Sequence, residues 1–144
     1  MLHFFFLLRI VTFLFAVFTS GVDNVVEVDV NYWENGVKNQ QVDVLLHKED
    51  KRVFVDAVHD AKKMDEDKLI RTKPSLTINI MSKEGDYKGY ELWITSDGKS
   101  YMESLDAADG GMFKLSKSSV KELTEFLETK GKADVIQNDV EFEE

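Results

Sequence analysis

The chain contains no cysteine and a single proline among its 144 residues. Without cysteine there is no disulfide scaffold, no thiol nucleophile, no thiolate-bound metal and no side chain to accept a lipid. Stability therefore has to come from a hydrophobic core, which a chain of this length can build as one domain. Basic residues are also scarce: 18 Lys and Arg against 27 Asp and Glu give a net charge of -9. A surface of that sign repels polyphosphates and no basic cluster interrupts it, so no nucleic acid is expected as a partner. Internal repeats and low-complexity linkers are absent as well.

Apolar residues form a long run in one place only. The first 20 residues, MLHFFFLLRIVTFLFAVFTS, hold 15 apolar side chains, six of them Phe, one basic residue (Arg9) and no acid. The runs Phe4 to Leu8 and, across Thr12, Ile10 to Phe18 match the roughly 7 to 15 apolar residues of a secretory signal better than a membrane span of about 20. Residues 1–21 are therefore expected to be a secretory signal peptide or a short membrane anchor, with cleavage after Ser20 or Gly21. Residues 22–144 are expected to form one exported domain, which loses one positive charge with Arg9 and so carries -10. Contact with a membrane is expected only through an uncleaved N-terminal segment.

Periodicity supplies the elements of the domain. Val26, Val28 and Val30 alternate with Glu27, Asp29 and Asn31, which predicts a strand closed by the turn pair Asn35-Gly36. A second strand is expected in QVDVLLHK, with Val42, Val44 and Leu46 on one side and Asp43, Leu45 and His47 on the other. From Lys51 to Met64 the period changes: Val53, Phe54, Ala57, Val58, Ala61 and Met64 share one helical arc, with Asp50 as N-cap. Pro74 introduces a strand with Leu76, Ile78 and Ile80 on its apolar side. Asp97-Gly98 reads as a two-residue hairpin loop, a register that sets Ile94 opposite Tyr101, Trp93 opposite Met102 and Leu92 opposite Glu103. MFKL adds a strand. SKSSVKELTEFLETKG closes the domain as a helix with Val120, Leu123 and Leu127 buried, Ser116 or Ser119 capping its start and Gly131 ending it. The tail VEFEE is expected to fray, with Val135 and Ile136 available for an edge strand. The fold class is thus α+β: an antiparallel sheet of five or six strands with two helices packed on one face, in the order ββαββββα.

The stretch from DAVHDAKKM through ELWI to FKLSKSSVKEL resembles the YhfM-like family of small cell-envelope proteins from Bacillus and relatives. The likeness spans residues 50–128 and rests on Ala57 and Ala61 to Lys63, on Tyr90 and Leu92 to Ile94, and on Leu115, Ser116 and Lys121 to Leu123. It implies a secreted or extracytoplasmic, envelope-associated protein. The family has no established activity, so it brings no catalytic residues.

Chemistry-bearing motifs are few. His47 reads as a strand-end residue and His59 as a solvent-facing helical one without zinc-hydrolase spacing. Asp106 and Asp109 lack the alternation of a calcium loop. Ser116, Ser118 and Ser119 are explained by capping. The expectation is a noncatalytic exported module, monomeric or weakly oligomeric, that binds a protein, a peptide or an envelope component, with no cofactor, no metal and no catalytic residue. Its candidate binding residues are Trp93, Met102, Glu91 and Glu103 on the sheet. The alternative is a small envelope hydrolase or metal-dependent enzyme using His59 or His47 with nearby carboxylates.

Overall fold

The computed structural model describes residues 21–65, 68–106, 110–131 and 135–143; the apolar N-terminal segment and Asp109 lie outside the described residues. A 3-10 turn over Val22–Asn24 leads into β1, Val25–Glu34. Val28, Val30 and Tyr32 point into the core as their alternation requires. A bulge between Val25 and Glu27 reverses the phase at the start of the strand, burying Val25 and leaving Val26 42% exposed. Asn35 and Gly36 both take positive φ, 54° and 72°, and close a tight hairpin onto β2, Val37–Lys38. Farther along the chain β3, Asp43–Leu45, pairs with the same edge of β1 and buries Leu45 rather than Val44.

Helix α1 covers Lys48–Asp60, starting and stopping before the expected Lys51 to Met64. His47, not Asp50, occupies the N-cap, with no side-chain bond. At the other end Ala61 is extended because Lys62–Lys63 form a short strand, β4, against the sheet. Tertiary pairing here overrides a helical period that the sequence continues through Ala61 and Met64. β5 (Leu76–Ser82), β6 (Tyr87–Trp93), β7 (Tyr101–Ser104) and β8 (Gly111–Lys114) follow, and α2 runs over Lys117–Lys130.

The sheet is antiparallel throughout, ordered β2-β1-β5-β6-β7-β8-β4 with β3 also on β1, and curls into a half-barrel with both helices on one face. Among the described residues it has eight strands in the order βββαβββββα, not the expected five or six. The additions, β2 and β4, are two residues long and carry no alternation that could announce them. Phe54, Leu76, Ile78, Leu92, Ile94 and Leu123 are fully buried between sheet and helices, where Phe54 meets Phe126 edge-on at 5.2 Å.

Helix α2 begins and ends as its sequence predicts. The Ser116 hydroxyl accepts the Ser119 N–H at 3.2 Å, and Gly131 takes φ 61° while its N–H reaches the Leu127 carbonyl. Ser116→Ala is expected to lower stability by about 1 kcal/mol, the usual worth of an N-cap; urea denaturation measures it, and a loss below about 0.3 kcal/mol would mean that Ser119 or water replaces the cap.

Candidate functional site

The register between β6 and β7 decides which side chains meet on the uncovered face of the sheet. Trp93 pairs with Tyr101, Leu92 with Met102, Glu91 with Glu103 and Tyr90 with Ser104, one residue away from the expected pairing. The cause is the turn. Ile94–Ser100 leave the ladder, because the Ile94 N–H donates to Ser75 Oγ at 3.0 Å and the Thr95 N–H to Ser100 Oγ at 3.1 Å. Asp97 Oδ1 accepts the Lys99 N–H at 2.9 Å, and the Thr95 hydroxyl bridges Asp97 and the Lys99 carbonyl. These two bonds hold the Asp97 carboxyl below its ordinary range, the Thr95 hydroxyl contributing most. A one-residue slip exchanges the two faces of β7. Met102 therefore goes under the helices, Tyr101 joins Trp93, and Glu103 leaves the apolar set in which the two-residue loop would have placed it.

Part of the uncovered face is roofed by the chain itself. Leu69 to Thr72 and Glu141 to Glu143 form a small ribbon: the Arg71 N–H donates to the Glu141 carbonyl, the Glu143 N–H to the Leu69 carbonyl, and Ile70 bridges Phe142. Beneath it Trp93, Tyr101, Met112 and Val140 make a second, smaller core that Met64 also joins. The Trp93 indole N–H donates to the Thr72 carbonyl at 2.7 Å, and Phe142 stands edge-on to Tyr101 at 5.4 Å. Burial, then the Asp139 and Asp97 carboxylates, push the Tyr101 hydroxyl up. The tail is docked rather than frayed. Val140 and Phe142 face in, and Ile136 forms a parallel bridge to Thr95.

The four candidate binding residues are thus divided. Met102 is 1% exposed beneath the helices and Trp93 is 3% exposed beneath the ribbon. Glu91 and Glu103 remain half-buried, facing each other on the part of the sheet that the ribbon leaves open. Beside them the Trp33 indole N–H donates to Thr77 Oγ1 at 2.9 Å, and the Thr77 hydroxyl reaches Glu91 Oε2 at 3.5 Å. Neither Trp33 nor Thr77 is evident as a partner from the sequence, because Trp33 reaches Thr77 only through the pairing of β1 with β5 and Thr77 reaches Glu91 only through that of β5 with β6. Neither glutamate forms an ion pair with a described residue. Glu103 also borders a recess of 230 Å³ lined by Lys68, Leu69, Gly110, Gly111 and Met112.

Burial raises the Glu91 carboxyl above its ordinary 4.5, the Glu103 carboxylate raises it further, and Lys38, the Thr77 hydroxyl and Lys73 pull against them. A raised carboxyl favours the folded state while protonated; that contribution is complete below 4.5 and is lost as pH rises through the folded value. Two ionised glutamates facing each other consequently cost stability at neutral pH. Glu91→Gln is expected to stabilise the protein at pH 7 by about 0.5 kcal/mol, the scale of a like-charge cross-strand pair, with the gain vanishing below pH 4.5. Denaturation midpoints of both proteins across pH 3 to 8 check it; a gain independent of pH would assign the effect to packing instead.

The histidines do not converge. His47 precedes α1 and His59 lies in its last turn, about 18 Å apart at the rise of an α-helix. Both are exposed, and His59 Nδ1 lies 3.1 Å from Asp60. Among the described residues no three His, Asp or Glu side chains gather as metal ligands would, and no described helix is long and apolar enough to cross a membrane. A groove of 490 Å³ between the Thr95 to Gly98 turn and α2 is lined by Val120, Leu127 and Val135 together with Thr95, Ser96, Thr124 and Glu128. No protein family, curated protein or solved structure matches the chain.

Proposed function

We propose that the protein is a noncatalytic, exported binding module that receives a cationic group of a protein, peptide or envelope component between Glu91 and Glu103. The observation that carries this reading is the cross-strand pairing of these two acids, neither of which forms an ion pair with a described residue although Lys38 and Lys73 lie near enough to act on Glu91. An arrangement that costs stability in the free protein is offset when a ligand ammonium or guanidinium lies between the carboxylates. The Trp33–Thr77 bond fixes the flank of the pair, and the recess beside Glu103 offers room for the ligand's stem. Export is supported by the apolar run of residues 1–20, and residence at the envelope is part of the same proposal.

Titration of the isotope-labelled protein with tetralysine, followed by amide NMR, tests the reading. Shifts should centre on Glu91 and Glu103 and weaken as salt is raised, and the double variant Glu91→Gln, Glu103→Gln should lose them. Shifts spread evenly over the acidic surface, or unchanged in the double variant, would overturn the proposal.

A further inference from the structure

The two edges of the sheet are finished differently. At one edge β4 presents Lys62 and Lys63, both exposed, and charge of this kind discourages the addition of another strand. At the other, β3 presents Val44, exposed by 47%, and Val42 and Leu46, which flank the strand, are exposed by 45% and 63%. The inner side of β3 is paired with β1, and no described residue hydrogen-bonds the backbone along its outer side. An apolar edge of this sort invites a strand.

The neighbouring charges indicate what kind. Val44 is the cross-strand partner of Asp29, so both lie on the face away from the helices, and Glu27 stands two residues along the same face. Asp29 Oδ1 is buried and has no hydrogen-bond partner. An isolated acceptor of this type calls for a donor, and the side chain that can cross Val44 and still reach Asp29 is a long basic one, its methylenes on the valine and its head on the carboxylate. The neighbouring Asp29 carboxyl, with burial, pushes the Glu27 carboxyl up, and the same cation would relieve it. A second copy of this chain suits the edge poorly, since it would bring another molecule of net charge -9 against these acids.

We infer that the outer edge of β3 docks an extended, lysine- or arginine-bearing segment of another protein, which adds a strand beside β3 and lays a basic side chain across Val44 onto Asp29. The surface is distinct from the Glu91–Glu103 pair, from which β5 separates it, and its test does not depend on that pair.

The full-length protein titrated with a capped nonapeptide of alternating valine and lysine provides the test, read by hydrogen exchange and amide shifts along β3. Exchange at β3 should slow on binding. Val44→Lys, an exposed substitution expected to leave the melting temperature nearly unchanged, should weaken binding by about tenfold or more. Asp29→Asn should weaken it as well, whereas the Glu91→Gln, Glu103→Gln double variant should not. A valine–glutamate peptide of equal length should fail to bind. Equal affinity in Val44→Lys and Asp29→Asn, equal binding of the glutamate peptide, or self-association of the chain through β3 in place of peptide binding would each overturn the inference.

Discussion

Trp93→Ala is expected to destabilise the protein by about 3–5 kcal/mol, the range for removing a large buried aromatic. The indole is 3% exposed and lies between the sheet and the ribbon of residues 69–72 and 141–143, with its N–H on the Thr72 carbonyl. Truncation leaves a void, an unpaired carbonyl and a roof without its main support. The loss should be uneven. Amides of the ribbon should exchange first, while those of β1 and β5 hold until global unfolding. Urea denaturation gives the total and hydrogen exchange its distribution; a loss below about 1 kcal/mol would mean that the ribbon does not pack on Trp93.

Phe54→Ala should cost a similar amount, about 3–5 kcal/mol, but with a different signature. Phe54 has no exposed surface and stands edge-on to Phe126 between the two helices, so its removal loosens the main core rather than a cover. Protection should fall in β1, β5 and both helices together. Against a typical total of about 5–15 kcal/mol, either substitution brings the protein close to unfolding. The two sites belong to different clusters on opposite faces of the sheet, so their effects should add to within about 0.5 kcal/mol in a milder pair such as Trp93→Phe with Phe54→Leu.

Why some of this was legible and some not follows from the range of the forces involved. The inward set of β1 beyond its bulge, the buried stripe of α1 at Phe54 and Ala57, the Ser116 cap, the Gly131 stop and the Asn35-Gly36 turn are all local patterns, and each stands where its residues predict. The end of α1 is not local: Ala61 leaves the helix because Lys62 and Lys63 pair with β8, about 50 positions later in the chain. The Asp97-Gly98 turn fails for the same reason. Ile136 occupies the Ile94 carbonyl and the Ser96 N–H that a tight hairpin would have kept within the β6–β7 ladder. That long-range pairing, together with the bonds of the Ile94 and Thr95 N–H groups to the Ser75 and Ser100 hydroxyls, sets Tyr101 against Trp93 and Glu103 against Glu91, a register that local pattern in the sequence does not announce. Glu91 and Glu103 could be named from the sequence, but their confrontation could not.

The most direct measurement is the titration of the Glu91 side-chain carboxyl by carbon-detected NMR, in the free protein and with tetralysine bound. The account predicts that Glu91 titrates above 4.5 in the free protein, where burial and the Glu103 carboxylate oppose its charge, and that bound peptide moves it down. An ordinary glutamate titration, unmoved by the peptide, would contradict both the cost attributed to the pair and the role proposed for it.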